Sequence, residues 1–289
     1  MKTGPHKEPG PDHPISTQRL AGLANATAPS GRLLAASTNA ICLREADLAP
    51  VTYFPRRNVD PSALTPTAHE TWCPFKGRAA YDAVLDEPDR AWTYYDPFPA
   101  VSAIAGHVAF YPDAAETGME DLPAPAPEAE DVLRFWFDEV PAKKHFAKDE
   151  ALDRRIAERF GGLQDTAARG RHDEWMRSPT GSLALLILLD QFSRNLHRGS
   201  ARAFENDEKA RHIADHAIGR GFDLAEPPER RAFVYLPFMH SEDLQDQNRS
   251  VRLYTERLPG APNVAFALGH REEIHRHGRF RGRDAALGR

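Results

Sequence analysis

Prolines divide this chain at about residue 127. Of its 24, 17 fall in residues 1–127 and 7 in residues 128–289. A residue that fixes φ and donates no amide hydrogen bond suits turns and strand ends but breaks helices, so the two parts cannot share one fold type. In the first part, short apolar or aromatic runs are cut by prolines about every ten residues, at 32–36, 40–44, 51–54, 70–73, 78–81, 90–95 and 107–111. That spacing predicts a small, mainly antiparallel β domain. Beyond Glu128 the period changes: Val132, Phe135, Trp136 and Val140, then Leu152, Ile156 and Phe160, recur at helical spacing. An all-α domain is expected there. The run Leu183-Ala-Leu-Leu-Ile-Leu-Leu189 is apolar on every face and reads as a buried central helix. Further helices are expected at about 204–219, 227–257 and 262–277, the long one broken by Pro237. The expected layout is a disordered leader over 1–12, a β-rich domain over 13–113, a Pro/Ala linker over 114–127 and a helical domain over 128–289.

Charge and composition exclude several classes. The first 127 residues hold 10 Lys+Arg against 15 Asp+Glu, and the remainder 27 against 27. With a pI near 6.2 there is no global basic field to attract nucleic acid. Mean hydropathy is −0.57, and no apolar run approaches the ~20 residues that cross a bilayer. The first ten residues lack the apolar stretch of a secretory signal, and two cysteines cannot build a disulfide framework. A reducing cytoplasm is the expected location. No HExxH, paired CxxC, GxxxxGK[ST] or GxSxG motif occurs, so the zincin, zinc-ribbon, P-loop and nucleophile-elbow readings fail. No metal is expected, and no motif names a cofactor.

Three polar clusters stand out in the helical half. Asp190-Gln-Phe-Ser-Arg194 ends the apolar helix, with Asp190 and Arg194 one turn apart on a face that is elsewhere core. Charges so placed must be paired or must line a cavity. In Tyr235-Leu-Pro-Phe-Met-His240-Ser-Glu242-Asp243 a proline-disturbed helix delivers His240 as a candidate general base, oriented by Glu242 or Asp243. In the third cluster His270, Arg279 and Arg283 are candidate ligand-binding groups, since guanidinium forks suit phosphate or carboxylate. Each cluster has a plain packing alternative as an ion pair, a satisfied core histidine or a solvated helix face. In the first half, Cys73 and Lys76 of Thr71-Trp-Cys73-Pro-Phe-Lys76-Gly77, with the aromatic Trp92, form a second candidate site. A lysine near a thiolate activates it, and His69 four residues before Cys73 has metal-ligand spacing; packing of a lone cysteine is the alternative.

Five motifs in order, His13-Pro-Ile, residues 50–61, Thr71 to Gly77, Ala91-Trp-Thr-Tyr-Tyr-Asp-Pro97 and Ile104 to Tyr111, closely resemble the bacterial domain-of-unknown-function family 427. The resemblance implies a compact β-rich domain over about 13–113. That family sometimes carries a nucleotidyltransferase label, and two-metal transfer needs closely spaced carboxylates; no Asp-x-Asp or Asp-x-Glu pair lies on an expected strand. The second half resembles domain-of-unknown-function family 924, through Val132-Leu-Arg-Phe-Trp-Phe137, Leu183 to Arg194, Phe233 to Asp243 and His270 to Phe280. It implies an all-helical, tetratricopeptide-like arrangement, although the 34-residue repeat signature is absent. The chain departs from that family after Phe280: Arg281-Gly-Arg-Asp284 stands where Pro-His-Arg-Asn is usual, and the sequence stops at Arg289 where relatives run on.

These residues predict an uncharacterised two-domain protein whose helical half binds, and perhaps transforms, a small anionic metabolite. Arg194 and Arg279 would clamp the anion and His240 would move a proton. A non-catalytic scaffold with a protein partner is the alternative, and an enzyme site at Cys73 and Lys76 a further one.

Overall fold

The computed structural model describes residues 4–289, in two compact units, residues 4–122 and 123–289. Met1 to Thr3 of the expected leader lie outside the described residues.

The first unit is β-rich. Its strands are β1 (Ile15–Arg19), β2 (Leu23–Thr27), β3 (Leu33–Ser37), β4 (Ile41–Glu45), β5 (Val51–Pro55), β6 (Leu64–Cys73), β7 (Gly77–Val84), β8 (Glu87–Thr93), β9 (His107–Phe110) and β10 (Glu116–Glu120). They form a seven-stranded sheet, ordered β1-β4-β5-β9-β8-β7-β6, and a three-stranded sheet, ordered β10-β2-β3. Every pairing is antiparallel. Small side chains dominate one core, where Ala24, Ala26, Ala35 and Ala91 let Phe54 and Phe110 meet edge to face. The seven runs expected as strands all fall on strands. Three more, β1, β2 and β10, are polar or alanine-rich and lack the aromatic signal. Part of the stretch expected as a leader lies against the sheet, for the Lys7 amide donates to the Pro74 carbonyl at 2.9 Å. The stretch expected as linker holds β10, which pairs with β2. Its Glu-Thr-Gly-Met-Glu sequence is too polar to announce a strand. Only 121–126 remains without regular structure before the helices begin.

The second unit is helical: α1 (Pro127–Arg134), α2 (Glu150–Ala168), α3 (Pro179–Leu186), α4 (Ser193–Leu196), α5 (Asp207–Gly219), α6 (Phe222–Ala225), α7 (Pro228–Met239), α8 (Leu244–Arg257), α9 (Asn263–His277) and α10 (Asp284–Leu287). Ser178 caps α3, its hydroxyl accepting from the Gly181 amide at 3.1 Å. Between α3 and α4 the chain passes through a π-helical turn, Ile187–Phe192, without leaving the helix axis. Leu183 to Leu189 are all buried, so the apolar run is the central helix its composition demands. Burying a leucine or isoleucine side chain contributes ~2 kcal/mol, which makes this run the main apolar anchor of the unit.

Pro237 sits inside α7, and the chain leaves the helix three residues later, at His240, not at the proline itself. The carbonyls exposed by that break are collected by one side chain. Gln247 of α8, fully buried, donates its Nε2 to the carbonyls of Met239 at 2.8 Å and Ser241 at 2.6 Å. Asp243 then starts α8, accepting from the amides of Gln245 at 2.7 Å and Asp246 at 3.2 Å. Gly278, at φ +67°, ends α9 in the left-handed conformation that glycine adopts without strain. The chain therefore turns back, and residues 279–289 pass beside the α7–α8 break.

Candidate functional site

The π-helical turn carries Asp190 and, one turn on, Arg194. Asp190 is 2% exposed, and a carboxylate at that depth must be compensated. Its carboxylate accepts from two side chains, His240 Nδ1 at 2.7 Å and Gln191 Nε2 at 2.5 Å, and forms an ion pair at 3.0 Å with Arg194, whose Nη1 donates to the Asp190 main-chain carbonyl at 2.7 Å. Burial pushes its pKa up, but the charges of Arg194 and His240 and the hydrogen bonds from His240 and Gln191 together outweigh it. They hold the carboxyl well below its ordinary range. An ionised carboxylate only accepts, so the proton between the two groups sits on His240 Nδ1. His240 Nε2 has no partner among the described residues.

Around this pair the arginines form a continuous network. Arg194 Nη2 donates to Asp207 Oδ1 at 2.9 Å, and Arg283 Nη1 to Asp207 Oδ2 at 3.2 Å. Arg283 Nη2 also donates to the His240 carbonyl at 2.8 Å. The rings of Phe204 and Phe280 cover the Arg283 guanidinium at 4.5 and 4.6 Å, and burial lowers its pKa. His270 lies with its ring centroid 6.4 Å from that of His240 and its Nδ1 3.3 Å from the Met239 carbonyl. Burial, then the neighbouring His240, lowers the pKa of His270, which favours a neutral ring.

The structure therefore joins Asp190, Arg194, His240 and Arg283 directly and sets His270 beside them. It assigns the other expected residues to different work. The acid that orients His240 is Asp190, fifty positions away, whereas Asp243 caps α8. Glu242 accepts from the Phe280 amide at 3.0 Å and from Arg289, which hold its pKa down against burial. Arg279 pairs with Asp284 at 2.9 Å and so does not join Arg194; its place is taken by Arg283. Asp207, Phe204 and Phe280 went unrecognised in the sequence, since nothing local marks an aspartate at the first position of a helix as the partner of two distant arginines.

The second candidate site is not assembled. Lys76 is buried and pairs with Glu45, which His13 Nε2 also meets at 3.1 Å. Cys73 packs against a buried apolar cluster that includes Leu43, Tyr53 and Tyr94. The Trp92 indole donates to the Tyr53 hydroxyl at 3.1 Å, and the His69 ring meets Tyr81 edge to face. No group of three His, Cys, Asp or Glu side chains among the described residues is arranged to hold a metal ion. No described helix is long and apolar enough to cross a membrane.

A cavity of about 880 Å³ opens elsewhere in the helical unit, between α1, α2 and the start of α3, lined by Glu130, Asp131, Arg134, Phe160, Thr180 and Arg230 among others. It shares no residue with the His240 network. Its cations are already engaged, Arg134 by Asp131 and Arg230 by Asp138 at 3.8 Å. This cavity and the convergent chemistry of the His240 network thus lie at different places.

The family described as Domain of unknown function (DUF427) matches residues 26–121. The family described as Bacterial protein of unknown function (DUF924) matches residues 132–289. A solved protein of unknown function, ATU0120 from Agrobacterium tumefaciens, is 41% identical with a TM-score of 0.54, the match covering 56% of this chain and 90% of that one. No curated protein matches the chain. Because residues 132–289 are more than half of its length, the chain belongs to the family of the Bacterial protein of unknown function (DUF924), here preceded by a β unit similar to DUF427.

Proposed function

We propose that the helical unit binds a small anionic molecule at His240 and exchanges a proton with it through Nε2. One observation carries this reading: a buried, ionised Asp190 occupies Nδ1 of the imidazole and leaves Nε2 without a partner among the described residues. A carboxylate on one ring nitrogen fixes the tautomer and ring orientation and makes the other nitrogen the working one. Arg194, paired with the Asp190 that holds the ring, and Arg283, bonded to the His240 carbonyl, bring guanidinium forks of the kind that suit an anion close to His240. Glu242 and Asp243, expected to orient the ring, have no part in this reading.

The test is an NMR titration of the His240 side chain, labelled with ¹⁵N, against acetate and inorganic phosphate. At least one anion is expected to move the Nε2 signal saturably in the wild-type protein, and His240→Gln should weaken binding at least ten-fold. Saturable binding that leaves Nε2 unmoved, or an unaltered affinity in His240→Gln, sinks the reading.

A further inference from the structure

Around His240 the fixed charges cancel. Asp190, Asp207 and Glu242 stand against Arg194, Arg283 and Arg289, each carboxylate in contact with one or two of the guanidiniums. Both arginines nearest the ring thus already hold an anion, and that anion is the protein's own. A further negative charge entering a neutral, largely buried network pays a desolvation cost that no unmatched cation returns. Resting on the reading that an anion binds here, this balance limits how it does so: one internal carboxylate must give way.

The three are not equally held. Asp190 is 2% exposed and takes two side-chain hydrogen bonds besides its ion pair with Arg194. Glu242 anchors the returning chain through the Phe280 amide as well as Arg289. Asp207 has neither tie. It is the first residue of α5, and among the described residues its side-chain hydrogen bonds run to the two arginines, one N–H on each oxygen. Both guanidiniums keep other anchors, Arg194 on Asp190 and Arg283 on the His240 carbonyl and between two aromatic rings. They would stay in place if Asp207 left.

We propose that Asp207 is a built-in counter-anion which the ligand displaces: the carboxylate of a monoanionic small molecule takes over the Arg194 and Arg283 contacts and comes to rest beside His240. Exchange of one carboxylate for another leaves the network neutral. Exchange for a phosphate dianion leaves it one charge short. The single positive charge that Asp207 uncovers on leaving sets the class of ligand, a monocarboxylate in preference to a phosphate.

The experiment measures acetate and inorganic phosphate affinities of the full chain, by the His240 Nε2 signal, for wild type, Asp207→Ala and the isosteric Asp207→Asn, with melting curves to establish folding. Wild type is expected to favour acetate. Either variant removes the competing internal carboxylate and gains one net positive charge, so both anions should bind at least ten-fold tighter than to wild type, with acetate still preferred. Should Asp207→Ala fail to fold, Asp207→Asn carries the comparison. A gain below ten-fold, with anions still moving the His240 signal, overturns the counter-anion proposal and leaves the His240 site standing. If no anion moves that signal in any of the three proteins, both readings fall.

Discussion

Arg231 offers the sharpest test of how the helical unit is held together. It is 1% exposed, and its guanidinium is spent largely on main chain: Nε donates to the Asp223 carbonyl at 3.0 Å, Nη1 to Arg257 at 3.2 Å, and Nη2 to Leu224 at 3.3 Å and Glu226 at 3.2 Å. One side chain thus collects the carbonyls at the end of α6 and the end of α8. Apolar replacement of a buried ion pair is often harmless when both partners are replaced, but carbonyls cannot be replaced. In Arg231→Met each of the four loses its arginine donor, at roughly 1–3 kcal/mol for a buried acceptor left unsatisfied, although the Asp223 carbonyl keeps the Glu226 amide at 3.2 Å. Taken without relaxation the sum is an upper bound, and water entering at the α8 end recovers part of it. A loss of about 4 kcal/mol is expected, in line with the roughly 3–5 kcal/mol found when one member of a buried charged pair is removed. At roughly 2–4 °C per kcal/mol for a unit of this size, the transition should fall by about 8–16 °C. Urea unfolding followed by far-ultraviolet circular dichroism at 222 nm reports the helical unit, and the slope m should stay unchanged. A midpoint that moves by less than 1 kcal/mol equivalent would refute the assignment of Arg231 as a carbonyl clamp. Arg231→Lys, which keeps the charge and loses the fork, should fall between the two.

Two further predictions concern pH. Asp190 titrates below its ordinary range in the folded protein, so its contribution is present above the unfolded value, about 3.9, and is lost as pH falls through the folded one. Asp190→Asn should therefore be less stable at pH 7 and flatten the acid limb of the stability profile; an unchanged acid limb contradicts the pairing. Glu226 is shifted the opposite way: burial raises it from 4.5 to about 7, Arg230 and Arg231 notwithstanding. Its favourable, protonated state is full below about 4.5 and is lost as pH rises through 7, a cost of about 3 kcal/mol at 1.36 kcal/mol per pH unit. Glu226→Gln should remove that slope and stabilise the protein at pH 8 in chemical denaturation, and equal stability of the two proteins at pH 8 would contradict it.

What the sequence made legible follows from the range of the interactions involved. Strands bearing aromatic or branched residues declared themselves, as did helices whose apolar positions recur at 3.6. β1, β2 and β10 did not, because Ile-Ser-Thr-Gln-Arg and Glu-Thr-Gly-Met-Glu owe their conformation to the strands they pair with. In the site, Asp190 and Arg194 were legible from their spacing on an apolar helix, and His240 from the disturbed helix that bears it. The partnership between them was not. Glu242 and Asp243 lie closest in sequence to His240, yet a residue just past a helix end is recruited to cap the next helix or anchor a neighbouring segment. Asp190 reaches the ring only because α3 and α7 pack together. Arg279 and Arg283 looked equivalent on paper; Gly278 turns the chain so that Arg283 faces inward over Phe280 and Arg279 outward toward Asp284.

The π-helical turn at Ile187–Phe192 places this chemistry under a constraint of length as well as identity. A π turn holds one residue more than an α turn, at some expense in hydrogen-bond geometry. Removing one of Ile187, Leu188 or Leu189 would let the segment relax into regular α-helix: the flanking turns would keep their facing, because the π turn already absorbs the extra residue, while Asp190 would shift within the turn. Every side chain needed for the site would still be present, and the helix itself would be sounder, yet Asp190 would no longer meet His240 while the leucines before it kept their seats. A relative that retains Asp, Arg and His but has lost one position in this stretch is therefore a protein with the site's letters and without the site. Gap placement in this helix, more than residue identity, separates the two.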